Sequence, residues 1–290
     1  MKHNKASRTA QYMALFRALE SRRPMGERLF DDPYAIAFLD SAYKSVTRIS
    51  SISFFREIIH KIIQHKIPGA LSSGIARTKY IDDVLKKRFQ ERKQQVIILG
   101  AGFDTRSLRL DFLKAAPVIE IDHPNTSRLK QDCLVEVLGE LPANTRYLQL
   151  DFNEQSLEGL AAQENIDYAT PATIIWEGVT NYLTAEAIDK TFGFIEKFAR
   201  GSSVIFTYVD NLVLEKPQLF FGAEKLLKDL AEIEERWTFG FYPDTLADYL
   251  NRFKLTLMED LGAATYRDKY WPGRDAKGYE FYRVAYAVRE

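Results

Sequence analysis

Apolar residues recur at helical spacing from Ser7 to Glu20, where Ala10, Met13, Ala14, Phe16 and Leu19 fall on one face. Leu29-Phe30-Asp31-Asp32-Pro33 breaks that period, and a short helix is predicted over Tyr34–Asp40. Two more helices are predicted over Ser53–Lys66, closed by Pro68-Gly69, and over Gly74–Phe89. No strand signal precedes residue 95, so the chain opens on a helical preface.

The texture then changes. Val96–Leu99, Val118–Ile121, Tyr147–Leu150, Thr173–Trp176 and Val204–Val209 are short β-branched runs, separated by stretches long enough for a crossover helix. That alternation predicts βαβ units in a mostly parallel sheet covered on both faces. Phe253–Glu259 and Phe281–Val288 follow without a full crossover helix between them, which predicts a closing pair with an antiparallel strand. The segment 211–252 is too long for a simple connection. Its helical patterns, Ala223–Glu235 and Thr245–Asn251, flank Trp237-Thr-Phe-Gly-Phe-Tyr-Pro243 and read either as a pocket wall or as a surface hairpin packed by its aromatics.

Charge narrows the partners. In 290 residues, 40 Lys and Arg balance 40 Asp and Glu, so no net field attracts phosphate backbones and no nucleic-acid partner is expected. Cys133 is the single cysteine, and His3, His60, His65 and His123 lack zinc-ligand spacing. A cytoplasmic protein without a metal is expected. Apolar runs fall far short of the ~18 residues that cross a bilayer, so no membrane partner is expected.

Candidate chemistry sits at the strand ends. Leu99-Gly100-Ala101-Gly102-Phe103-Asp104-Thr105 closes the first strand with glycines that let a ligand approach the backbone. A dinucleotide site wants a third glycine where Thr105 stands, so a nucleoside without phosphates fits better and a nicotinamide oxidoreductase is disfavoured. Asp122 ends the second strand, where a carboxylate accepts from ribose hydroxyls, with Glu120 on the same strand face; Asp122 could instead cap the helix at Pro124. Asp151-Phe152 ends the third strand as an adenine contact or a helix cap, and Glu177-Gly178 ends the fourth at the switch-point crevice. Arg77 shares the inward stripe of its helix with Ile81, Val84 and Leu85, so it needs an anionic partner, either a ligand carboxylate or a structural salt bridge.

These residues stand in motifs that resemble the leucine carboxyl methyltransferase family of S-adenosylmethionine-dependent enzymes. The marks are Ser7-Arg8-Thr9-Ala10 with Arg17-Ala18, Leu29-Phe-Asp-Asp-Pro-Tyr-Ala35, Ala76-Arg77-Thr78-Lys79-Tyr80-Ile81-Asp82, Leu99 through Arg106, Glu120-Ile-Asp-His-Pro124, and Glu177-Gly178 with Asn181-Tyr182-Leu183. The chain departs from close bacterial relatives after Asp151, where Phe152-Asn153-Glu154-Gln155 stands.

The resemblance implies an α/β fold: a Rossmann-like, doubly wound, seven-stranded, mostly parallel class I methyltransferase sheet with one antiparallel strand. Residues 1–90 would form a helical lid and clamp, and 91–290 the methyltransferase domain with its insertion at 211–252. By the same resemblance, Arg77, Gly100, Gly102, Asp104, Asp122, Asp151, Phe152 and Glu177 would hold S-adenosyl-L-methionine and its product S-adenosyl-L-homocysteine.

The expected reaction is O-methylation of a carboxylate on a small molecule or peptide. An acid with a pKa near ~4 is already ionised at neutral pH, so ester formation needs no general base. Glu177 would then orient the cationic cofactor; an alcohol acceptor would need a base, for which Tyr182, Tyr208 and Tyr12 are candidates. Tyr266, Arg267, Tyr270 and Trp271 could line the acceptor pocket or a surface loop. A catalytically silent cofactor-binding scaffold is the alternative.

Overall fold

Strands β1 (Gln95–Leu99), β4 (Ala172–Trp176) and β5 (Ser203–Val209) are buried along their whole length, as unbroken apolar runs require when both faces of a sheet are covered. The computed structural model of the protein describes residues 8–152, 154–271 and 277–290; the predicted helix start at Ser7 and the residue Asn153 lie outside them. With β2 (Val118–Asp122), β3 (Thr145–Gln149), β6 (Leu255–Gly262) and β7 (Tyr282–Arg289), the strands form one sheet in the order β3-β2-β1-β4-β5-β7-β6. β7 runs antiparallel to both its neighbours, β5 and β6, and the pairs among β1 to β5 are parallel.

Alternation along β1 sorts the helices into two layers. Val96 and Ile98 face α4 (Ala70–Glu91), meeting Tyr80, Ile81 and Leu85. Ile97 and Leu99 face the opposite layer, which holds Ile188, Phe192 and Ile195 of α8 (Ala185–Glu196). The remaining crossovers are α5 (Arg106–Arg109), α6 (Pro124–Leu138) and α7 (Leu157–Gln163). After β5 come α9 (Leu212–Glu215), α10 (Ala223–Glu232) and α11 (Leu246–Asn251), and α12 (Ala263–Tyr270) separates β6 from β7.

The preface comprises α1 (Arg8–Ser21), α2 (Ser41–Ile49) and α3 (Ser53–Lys66) with α4. α2 is a helix the apolar spacing does not predict: Asp40, read as a helix end, is its N-cap and accepts from the Tyr43 N–H at 2.8 Å. The predicted helix at Tyr34–Asp40 is a 3-10 turn over Ala35–Phe38. α4 starts at Ala70 rather than Gly74 because Gly69, at φ 77°, turns the chain into it directly.

Candidate functional site

The carboxyl ends of β1, β2 and β4 open onto a cavity of about 820 Å³. Of the residues expected to hold the cofactor, Arg77, Gly100, Gly102, Asp104 and Asp122 line it, together with Phe152 and Glu177. Asp151 stands beside this set rather than on its wall, with Oδ2 3.6 Å from Nε2 of the lining residue His123. It does not cap α7, since Ser156 does.

The glycine turn is built by backbone geometry. Gly100 has φ 63° and Gly102 φ 50°, both in the left-handed region. A Cβ on Gly100 would sit 2.3 Å from Val179 Cγ2, whereas Gly102 is open apart from Ala10 at 3.6 Å. Gly100→Ala is therefore expected to destabilise the fold by about 2 kcal/mol, from backbone strain and that overlap. Denaturant unfolding measures it, and an unchanged midpoint contradicts the geometry.

Asp122 anchors the turn. Its Oδ2 accepts from the Gly102 N–H at 2.5 Å and its Oδ1 from the His123 N–H at 2.6 Å. Each oxygen keeps a lone pair free for a further donor. Burial pushes the Asp122 carboxyl above its ordinary pKa, and the two backbone N–H bonds oppose that. The helix-capping role belongs to His123, whose Nδ1 accepts from the Asn125 N–H at 3.2 Å. Glu120 does not assist: it is buried away from the cavity, paired with Lys130 and bonded to Ser107.

Behind the turn lies a chain of ion pairs centred on Arg106, a residue for which the sequence reading assigns no role. Its Nε donates to Asp82 Oδ1 and its Nη2 to Glu177 Oε2, both at 2.9 Å, while Nη1 pairs with Asp104. Arg109 grips Asp82 from the other side at 2.7 and 2.8 Å. Arg77 closes the chain, its Nε donating to Glu177 Oε1 at 2.9 Å.

Three arginines thus meet three carboxylates, as buried charge requires. Burial pushes the Asp104 carboxyl up, but Arg106 and the charges beyond it outweigh that and hold it at about 2. In Glu177, burial is likewise outweighed by Arg106 and Arg77, leaving the carboxyl below its ordinary range.

A carboxylate whose pKa is lower in the folded state stabilises the fold above its ordinary pKa and loses that contribution as pH falls through the folded value. Stability is therefore expected to drop as pH falls from 3.8 towards 2, with Glu177 acting in the same direction. Asp104 alone accounts for about 2 kcal/mol. Thermal unfolding across that window checks this, and a midpoint that does not fall contradicts it.

Arg77 keeps donors beyond its ion pair. It has a structural partner in Glu177, yet this occupies one of its five N–H donors. Its Nη2 lies 3.3 Å from the Met13 sulfur, and the guanidinium sits 4.6 Å from the Tyr282 ring centroid, with both residues on the cavity wall.

Tyr182 lines the cavity with its hydroxyl 3.2 Å from Thr9 Oγ1, and burial pushes its pKa up to about 12. Tyr208 does not line it, a correction to its candidacy as a base. Its ring is fully buried, and its hydroxyl donates to Asp260 Oδ2 at 2.7 Å while accepting from Arg283 Nε at 2.9 Å. Tyr266, Arg267, Tyr270 and Trp271 are also absent from the wall. Tyr266 is wholly buried against Ser73, and Arg267 donates to the Gly278 carbonyl.

The far wall comes from elsewhere in the chain. The segment after β5 contributes Leu226, Leu230, Ile233 and Trp237, which makes the insertion a pocket wall rather than a detached hairpin. α1 lies across from it. Glu235 accepts from the Arg8 N–H at 2.9 Å and from the Thr9 hydroxyl, joining the two. Arg17 fastens α1 to the glycine turn, donating to Asp32 at 2.8 Å and to the Phe103 carbonyl. The Met13, Tyr279 and Tyr282 contributions are not predicted from the sequence; Tyr279 carries a positive φ of 67°, a conformation rare for a non-glycine residue.

A doubly wound sheet of this order, with β7 reversed and a cavity over its strand ends, has the class I methyltransferase fold. A crystal structure of a "putative methyltransferase" from Thermobifida fusca superposes with a TM-score of 0.59 over 94% of this chain and 97% of that one, at 16% identity. A DUF574 family protein from Streptomyces avermitilis gives 0.57 over 94% and 100%, at 13% identity.

The protein belongs to the leucine carboxyl methyltransferase family, which matches residues 10–196, from α1 to the end of α8. Among its relatives is a Mycobacterium avium protein named "putative S-adenosyl-L-methionine-dependent methyltransferase", 31% identical over 215 residues that cover 71% of this chain and 67% of that protein. A protein of the same name from Mycobacterium sp. strain JLS is 30% identical over 230 residues, covering 79% and 73%.

Proposed function

We propose that this protein is an S-adenosyl-L-methionine-dependent methyltransferase that esterifies a carboxylate on a small molecule or peptide. The observation that carries this reading is the convergence of Arg77, the Gly100–Gly102 turn, Asp122, Phe152 and Glu177 on one cavity. The names of the mycobacterial relatives support the choice of cofactor.

The donor set fits that group. The fork of Arg77 matches a carboxylate, the free lone pairs of Asp122 match a ribose diol, and Phe152 offers a ring face for a base, with Asp151 alongside. The ionised Glu177 balances a sulfonium charge. When bound, the cofactor supplies a methyl group already activated on a cationic sulfur.

The residues present suit an acceptor that arrives ionised. Glu177 is held between two arginines, an arrangement that favours its charged form and opposes proton uptake. Tyr182, pushed up to about 12, is protonated at neutral pH and so is not poised to take a proton. His123 spends Nδ1 on the Asn125 N–H. The work left to the protein is to hold the acceptor oxygen in line and to exclude water, with α1 as lid and α10 as wall.

Labelled methyl transfer to a panel of carboxylic acids tests this reading. Tyr182→Phe is expected to keep turnover with an acid acceptor within about threefold, because no proton leaves the acceptor. A loss of about a hundredfold would identify Tyr182 as a general base and redirect the assignment to an alcohol or phenol.

A further inference from the structure

Helix α3 has two apolar faces. Ile59 and Ile63 pack inward, into the cluster that holds Leu15, Leu19 and Ile75. Phe54, Phe55, Ile58 and Ile62 are exposed, from 38% at Ile58 to 68% at Phe54. Phe55, Ile58 and Ile62 follow i, i+3, i+7 spacing and so share one stripe, with Phe54 one turn above Ile58. Ile49 and Ile52, at the junction of α2 and α3, are exposed as well. A monomeric protein rarely leaves so many large apolar side chains together in water without a partner.

The charges on this hairpin select the partner. Across residues 41–66 the exposed ionic side chains are Arg48, Lys61 and Lys66, against Glu57 alone. A second copy docking through the same face would set these cations against their equivalents. The surface is a convex helix led by the edge-on ring pair Phe54–Phe55, not a groove shaped for a peptide. α10 reaches the C-terminal end of α3, where Lys225 Nζ donates to the Lys66 carbonyl at 3.2 Å, and the segment just before α10 carries the exposed Leu219 and Phe221.

We propose that the α2–α3 hairpin docks on an anionic lipid surface. Phe54, Phe55, Ile58 and Ile62 enter the boundary between headgroups and acyl chains, while Arg48 and Lys61 pair with headgroups. Among the described residues no helix is long and apolar enough to cross a membrane, so the helix lies in the plane. The expectation of no membrane partner rests on the lack of long apolar runs, which an in-plane helix does not need. Lys66 and Ile67, at the end of α3, line the cavity, so docking sets that cavity beside the lipid. The inference is independent of which acceptor is methylated.

Sedimentation of the full chain with vesicles tests it, comparing phosphatidylcholine alone with an equal mixture of phosphatidylcholine and phosphatidylserine. Binding is expected to the mixed vesicles and to weaken as salt is raised. The triple variant Phe54→Ser, Phe55→Ser, Ile58→Ser should lower partitioning at least about tenfold. Lys61→Ala should lower it about fivefold. Thermal midpoints near that of the parent would show both variants folded. The proposal is overturned if the folded parent binds neither vesicle, or if the triple variant binds as the parent does. It is also overturned if light scattering shows a parent dimer that the triple variant dissolves, which would assign the face to a second copy.

Discussion

Arg106→Met lowers the stability of this protein by about 3–5 kcal/mol, the cost of removing one partner from a buried ionic network. Arg106 is 3% exposed and is shared among Asp82, Asp104 and Glu177. After its loss Asp82 keeps Arg109 and Glu177 keeps Arg77, but Asp104 keeps as a hydrogen-bond partner only the backbone N–H of residue 106, with Lys130 and Arg17 acting on it through space. Asp104 must then take up a proton or draw in water, so the acid sensitivity expected of the parent should also shift to higher pH. Arg106→Lys is expected to rescue the loss only in part, because an ammonium cannot present a planar fork to three carboxylates. Denaturant unfolding of both variants provides the comparison, and a methionine variant as stable as the parent would contradict the central place given to Arg106.

Arg77→Ala acts on a different quantity. Its loss leaves Glu177 paired with Arg106 at 2.9 Å, so the fold survives. S-adenosyl-L-homocysteine binding is expected to weaken by about 1.5–3 kcal/mol, the scale of a lost charged hydrogen bond. That corresponds to roughly a tenfold to hundredfold rise in Kd. Unchanged affinity in a folded Arg77→Ala variant would leave this residue a purely structural role.

The strand framework is largely legible in the sequence because the central strands are unbroken β-branched runs and because polar or glycine residues punctuate their carboxyl ends. Gly100, Gly102, Asp122 and Glu177 could be placed from that punctuation alone. The ionic network could not be placed in this way. Arg106 meets Asp82 and Glu177 across 24 and 71 positions of chain, and local spacing carries no record of such a pairing. Tyr208 fails for a related reason: on a strand buried on both faces, alternation does not say which face meets a cavity. Met13, Trp237 and Tyr279 reach the wall from α1, the insertion and the approach to β7, so only the tertiary fold brings them there. The outer stripe of α3 is present in the sequence as periodicity, but only the packed structure shows that Ile59 and Ile63 serve the core while Phe54, Phe55 and Ile62 do not.

Calorimetric titration of the purified protein with S-adenosyl-L-homocysteine, beside NAD and NADP under identical conditions, decides which nucleoside ligand the cavity takes. Micromolar binding of S-adenosyl-L-homocysteine is expected, weakened in Arg77→Ala, with no binding of either dinucleotide. Binding of NAD or NADP in its place would make the cavity a dinucleotide site and rule out methyl transfer from it.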